Sequence, residues 1–114
     1  MEKFRALGIS EINIQTLEKK GFEEPTEIQS AVIPLILEDE IDIIAQAQTG
    51  TGKTAAFGLP LIEQIDIHDK QTQVLILAPT RELCMQISKD FQNYSKIYRA
   101  HNLYSFFNLL IPYF

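Results

Sequence analysis

Two short apolar runs, Ile41 to Ala45 and Val74 to Ala78, stand out along this chain. Both are bounded by polar or turn-forming residues and are too short for helices. They predict two strands, the first over about Asp42 to Ala45 and the second over Val74-Leu75-Ile76-Leu77-Ala78. The second run is apolar at every position, as in a parallel strand covered on both faces, and Pro79 ends it. Four helices are predicted around them. One runs from about Ser10 to Lys20, with Ser10 as cap and Gly21 as stop. A second runs from about Glu27 to Leu37, with Pro34 kinking or shortening it. A third starts at Lys53, is interrupted by Pro60 and ends near Ile65. A fourth starts near Arg81 and shows an apolar face at Leu83, Ile87, Phe91 and Tyr94. The order α, α, β, α, β, α predicts an α/β fold with one right-handed parallel βαβ unit behind N-terminal helices. The acidic cluster Glu38-Asp39-Glu40-Asp42 reads as a solvated turn. The polar connection 65–73 contains His68, for which no plausible metal site is expected nearby.

The chemistry lies just beyond the strands. Residues 47–54 read Ala-Gln-Thr-Gly-Thr-Gly-Lys-Thr between a predicted strand and a predicted helix. Backbone N–H groups of such a turn and the helix dipole together form an anion site. Gly50 and Gly52 let the backbone approach phosphate oxygens without a Cβ in the way. Lys53 can reach the outer phosphates, and the Thr54 hydroxyl can sit on Mg²⁺. Ala47 stands where the usual pattern has its first glycine. The plain alternative is a Gly/Thr-rich turn that binds nothing.

A second stretch, Gly21-Phe22-Glu23-Glu24-Pro25-Thr26-Glu27-Ile28-Gln29, reads locally as a helix start. Pro25 prevents continuation of the preceding helix, Thr26 can cap the next, and Gln29 completes a capping box three residues on. The Gln29 amide has the donor and acceptor that adenine needs. Local sequence leaves both roles open. Taken together, Phe4, the Gly21 to Gln29 stretch, Ala47 to Thr54 and Pro79-Thr80-Arg81-Glu82-Leu83 make the chain closely resemble a DEAD-box RNA helicase, from about Phe4 to Lys96.

The resemblance implies part of a RecA-like P-loop NTPase domain. It implies that Gln29 recognises adenine, with Thr26 beside it, that Phe22 walls the base pocket with help from Phe4, and that Gln48, Thr49, Gly50, Thr51, Gly52, Lys53 and Thr54 hold ATP and Mg²⁺. It assigns Pro79, Thr80, Arg81 and Glu82 to a single-stranded RNA backbone, with Thr80 and Arg81 as phosphate contacts.

The family's Asp-Glu-Ala-Asp motif, its Ser-Ala-Thr motif, its later glycine pair and its second domain have no counterpart here. The resemblance therefore covers roughly the first quarter of a helicase core. Phosphoryl transfer needs a carboxylate to orient metal and water and an arginine for the transition state. No complete catalytic set is expected in this chain. The expected activity is nucleotide binding without hydrolysis or unwinding; the other readings are a different P-loop nucleotide-binding module, or a non-catalytic product that folds poorly.

Residues 1–99 read as the N-terminal part of the ATP-binding domain and 100–114 as an atypical tail. The stretch Asn102 to Phe114 carries no charge and holds Tyr104, Phe106, Phe107, Tyr113 and Phe114. The plain reading is a terminal helix or strand that buries its aromatics; the favoured one is a truncated product whose tail is encoded by a shifted reading frame or an alternative end. The stretch is too short, and too broken by Asn108 and Pro112, for a membrane span.

Composition changes this picture little. A chain of 114 residues is at most one domain, and 46% hydrophobic with 22% charged residues is ordinary for a globular protein. A net charge of -5 excludes nucleic-acid binding by bulk charge but leaves room for a local strip. The N-terminus has no secretory leader, and a single cysteine, Cys84, excludes an internal disulfide; a cytoplasmic protein is expected. Cys84 reads as a buried packing residue.

Overall fold

The computed structural model describes residues 1–38 and 40–96, so the tail lies outside the described residues. The described residues form five helices: α1 (Glu2–Ala6), α2 (Glu11–Lys19), α3 (Glu27–Glu38), α4 (Lys53–Gln64) and α5 (Arg81–Tyr94). The chain divides into two compact units, Met1–Gln64 and Ile65–Phe114.

In the first unit, α1 is an element that the sequence pattern does not announce, because five residues are too few to show a period. It is held by what it buries and by how it stops. Phe4 is fully buried. Gly8, at φ 102°, closes the helix: its N–H donates to the Arg5 carbonyl and the Ile9 N–H to the Phe4 carbonyl. Gly21, at φ 77°, repeats this arrangement at the end of α2, with Gly21 N–H on Glu18 and Phe22 N–H on Leu17. A left-handed residue with this pair of bonds is the glycine stop that the sequence predicts after Lys20.

Helices α3 and α4 pack on each other. Val32 and Ile33 on α3 and Ala55, Ala56, Leu59 and Ile62 on α4 are buried, and the small residues let the two backbones come close. Both helices run unbroken through their prolines, Pro34 and Pro60. The expectation that Pro60 interrupts its helix is therefore corrected, as is a shortening of α3 at Pro34. An interior proline costs about 3 kcal/mol. Burying one aliphatic side chain gives about 1.5–3 kcal/mol, and each helix buries two or more.

The C-terminal end of α4 ties the unit together. Ser10 sits at the N-cap of α2, but its hydroxyl makes no bond back to that helix. One oxygen of Glu63 takes the capping role: it accepts from the Ser10 N–H at 2.8 Å, the Ser10 hydroxyl at 3.0 Å and Asn13 Nδ2 at 2.5 Å. A carboxylate at a helix N-terminus also meets the positive end of the dipole. The next residue, Gln64, donates from Nε2 to the Ile36 carbonyl at 2.9 Å, satisfying an orphan acceptor in the last turn of α3.

In the second unit, the connection into the second apolar run is organised by Gln73. Its Oε1 accepts from the Asp66 N–H, and its Nε2 donates to the carbonyls of Asp66 and Asp69. The two aspartates accept from the N–H groups of His68 and Gln71 as Asx turns. On α5, Phe91 is buried, Ile87 and Tyr94 are half-buried, and Leu83 is exposed. The amphipathic stripe is present, but only its C-terminal part is covered. Burial raises the Tyr94 pKa, with Asp90 adding to the shift. Cys84 is half-buried rather than buried.

No strand ladder forms among the described residues. In 74–78 exposure alternates: Val74, Ile76 and Ala78 are half-covered while Leu75 and Leu77 are 64% and 58% exposed. In the first run Ile41 and Ile44 are exposed. The apolar pattern is that of strands, but a parallel strand needs a neighbour for every ladder bond. Apolar sequence alone does not supply one.

The three-donor contact at Glu63 predicts an asymmetric mutational response. Glu63→Ala should lower unfolding free energy by about 1–2 kcal/mol in urea titration, and Glu63→Gln, which keeps an acceptor, by clearly less. Equal loss in both would show that charge alone matters.

Candidate functional site

The Gly21 to Gln29 stretch and the glycine turn, apart in sequence, meet in the first unit. Thr26 and Gln29 form the reciprocal cap of α3: the Thr26 N–H donates to Gln29 Oε1 at 3.0 Å, and the Gln29 N–H to Thr26 Oγ1 at 3.4 Å. The Gln29 amide does more than cap. Its Nε2 donates to the Gly52 carbonyl at 3.2 Å, across 23 residues of sequence. Gln29 is buried, at 1% exposure. These contacts use one amide N–H and one lone pair, and an amide has one more of each.

The turn itself depends on two left-handed glycines, Gly50 at φ 76° and Gly52 at φ 81°. A Cβ on Gly50 would meet open space. One on Gly52 would overlap the Gln29 amide and come within 3.2 Å of Thr26 Oγ1. The Thr51 hydroxyl donates to the Gln48 carbonyl at 2.5 Å and stiffens the turn. The Gly52 carbonyl also accepts from the Ala56 N–H at 3.1 Å, so α4 begins on the residue that Gln29 holds. Lys53 is the first residue of α4 and exposed; Thr54 is second and half-buried. Gln48, Thr49 and Gly50 are exposed. A glycine turn opening a helix N-terminus, with an exposed ammonium and a hydroxyl on its first two residues, fits a polyphosphate. Among the described residues no three potential ligands gather into a metal cluster.

Lys20, Gly21, Phe22, Glu23 and Glu24 line an open depression of about 540 Å³. The Phe22 ring is half-buried and meets Phe4 edge-on, with centroids 6.2 Å apart and planes at 69°. Phe4 is fully enclosed and supports Phe22 from behind. Lys3 Nζ pairs with Glu24 Oε1 at 2.7 Å and holds the Glu24 carboxyl below its ordinary range. Lys3 and Glu24 lie 21 positions apart, and no local pattern marks them as partners.

In the second unit, Thr80 is the N-cap of α5, its Oγ1 accepting from the Leu83 N–H at 3.2 Å. Pro79, Thr80, Arg81 and Glu82 are all exposed. The Thr80 hydroxyl is thus engaged as a helix cap, while the Arg81 guanidinium stands in the open at the start of the helix.

The two turn glycines should respond differently to substitution. Gly50→Ala carries only the strain of a left-handed alanine, about 1–2 kcal/mol. Gly52→Ala carries the same strain and also displaces Gln29, so its melting temperature should fall further. Equal falls would show that the Gln29 contact contributes nothing.

The DEAD/DEAH box helicase family model matches residues 26–107. Over 103 residues the chain is 48% identical to the DEAD-box ATP-dependent RNA helicase CshA of Bacillus cereus, covering 90% of this chain and 19% of that protein. Among solved structures, it is similar to S. cerevisiae Dbp5 bound to RNA and ADP BeF3, with a TM-score of 0.79 and 35% identity over 85% of this chain and 25% of that one. A DEAD box protein from the hyperthermophile Methanococcus jannaschii superposes with a TM-score of 0.76 and 44% identity, over 81% of this chain and 25% of that one. Prp28 from Chaetomium thermophilum bound to ADP gives 0.73 and 38%, over 85% and 24%. The chain thus spans about a fifth of the curated relative and a quarter of the solved chains. By family match, by sequence identity and by fold, this chain belongs to the DEAD/DEAH box helicases.

Proposed function

We propose that this chain carries the adenine-recognition, phosphate-binding and first RNA-backbone elements of the first RecA-like domain of an ATP-dependent RNA helicase. By itself it binds ATP or ADP and does not turn them over. One observation carries the reading: the Gln29 amide holds the Gly52 carbonyl, so the residue suited to read adenine and the turn suited to hold phosphates form one unit. In this reading the backbone N–H groups of 48–54 and the Lys53 ammonium hold the phosphates, Thr54 offers its hydroxyl to Mg²⁺, and Phe22 presents its half-buried ring to the base. Gln29 reads the base with its remaining donor and lone pair.

The similar Dbp5 structure holds RNA and ADP BeF3, which supports adenine nucleotide and RNA as ligands of the corresponding elements here. Pro79 to Glu82 lie exposed at the start of α5, and Arg81 meets an RNA phosphate there; two or three such contacts give weak, salt-sensitive binding. The apolar runs 41–45 and 74–78 take up a parallel βαβ arrangement once neighbouring strands supply their ladders. Hydrolysis by this chain is not proposed. Asp66 and Asp69 are committed to Asx turns, and binding the ground state does not accelerate the chemical step. No helix among the described residues is long and apolar enough to cross a membrane; the reading as an RNA helicase segment is that of a cytoplasmic protein.

Two substitutions test the reading in equilibrium binding. Lys53→Ala removes a charge-assisted contact worth about 1.5–3 kcal/mol, so ADP affinity should fall about ten- to a hundredfold. Gln29→Ala should weaken both adenine and guanine nucleotides, because it frees Gly52, but adenine nucleotides several-fold more. A chain that binds ADP no better than GDP, with Gln29 making no difference, would refute base recognition. Phosphate release at saturating ATP should be absent with and without single-stranded RNA. RNA-stimulated release that Lys53→Ala abolishes would overturn the claim of binding without turnover.

A further inference from the structure

The short helix α1 has contacts that its size does not explain. Arg5 pairs with Glu2 on its own helix and with Glu11 at the start of α2, and its hydrogen bond holds the Glu11 carboxyl below its ordinary range. Phe4 packs behind Phe22. Lys3 reaches past the end of α2 to Glu24. Helix α1 therefore straps both ends of α2, and two of these contacts fall on the turn that follows α2.

Backbone hydrogen bonds hold the two ends of that turn. Gly21 and Phe22 are fixed by their bonds to α2, and Thr26 by the cap of α3. Among the described residues no backbone hydrogen bond holds Glu23, Glu24 or Pro25. These residues carry the chain from the Phe22 ring to the cap that contains Gln29. The Lys3–Glu24 pair closes this gap from outside, against a depression lined by Lys20, Phe22, Glu23 and Glu24.

We infer that Lys3, acting through Glu24, is a positioning residue for base recognition: it holds the 21–25 turn so that the Phe22 ring is presented at a fixed angle to an adenine. This rests on the adenine-binding reading above and adds a residue from outside its motifs. Lys3 touches neither base nor phosphate. Its influence is therefore confined to the base, and it leaves phosphate binding alone. Both side chains are about two-thirds exposed, so the effect is modest and salt screens it.

The test uses the full 114-residue chain. Dissociation constants for ADP, GDP and tripolyphosphate are measured for the wild type, Lys3→Glu, Glu24→Lys, the double swap and the milder Lys3→Met, with melting temperatures alongside. Each single reversal should weaken ADP about two- to fivefold at low salt and leave tripolyphosphate unchanged. The swap should restore ADP, and molar salt should erase the difference. The inference is overturned if ADP affinity does not change, if ADP and tripolyphosphate weaken together, or if the swap fails to restore binding. Should a reversal lower the melting temperature by many degrees, Lys3→Met decides by the same criteria. A wild type with no preference for ADP over GDP refutes the adenine reading and this inference with it. A Gln29-dependent preference that ignores Lys3 refutes this inference alone.

Discussion

The carbonyl oxygen of Gly52 is the point on which the first unit turns. It accepts the Ala56 N–H that starts α4 and the Gln29 amide that belongs to α3. Both bonds require the residue to be glycine, because its φ is 81° and because a Cβ would overlap the Gln29 side chain. A buried amide left unpaired is costly, so the contact is strongly preferred once α3 and α4 have packed. The phosphate turn is thus shaped from behind by a side chain that also caps the neighbouring helix. Whatever moves Gln29 moves the turn.

The far end of α4 works by the same economy. Glu63 caps α2 and Gln64 caps α3, so one helix satisfies orphan groups on two others. This explains why a helix with a proline at its middle stays continuous. Its N-terminus is fixed by the turn, its C-terminus by two side-chain caps, and its buried face by α3. The missing hydrogen bond at Pro60 is small beside these constraints.

The two apolar runs show the opposite situation. Their composition is that of buried parallel strands, yet Ile44, Leu75 and Leu77 stand exposed. Strand formation is a property of a pair, and each ladder bond needs a donor or acceptor on another segment. The chain spans about a quarter of the solved relatives. They superpose on it with TM-scores of 0.76–0.79.

Much of the site was legible in the sequence because its signals are local. Gly-Lys-Thr after an apolar run, Thr26 and Gln29 at capping-box spacing, Gly21 as a stop and Thr80 before Arg81 each depend on neighbours within a few residues. Backbone sterics and helix-end hydrogen bonding act over that range, so spacing alone determined them. What only the tertiary structure decided lies at longer separation. Ser10 occupies the cap position that its sequence implies, but Glu63, 53 residues away, makes the bonds. Gln29 is a cap by sequence and becomes a support for Gly52 only when α3 lies against α4. Phe4 is enclosed behind Phe22, and Lys3 finds Glu24 across 21 residues. Pro34 and Pro60, breakers by local rule, sit inside intact helices. In each case the outcome turned on which groups packing brought within bonding distance, and the order of residues along the chain does not state that.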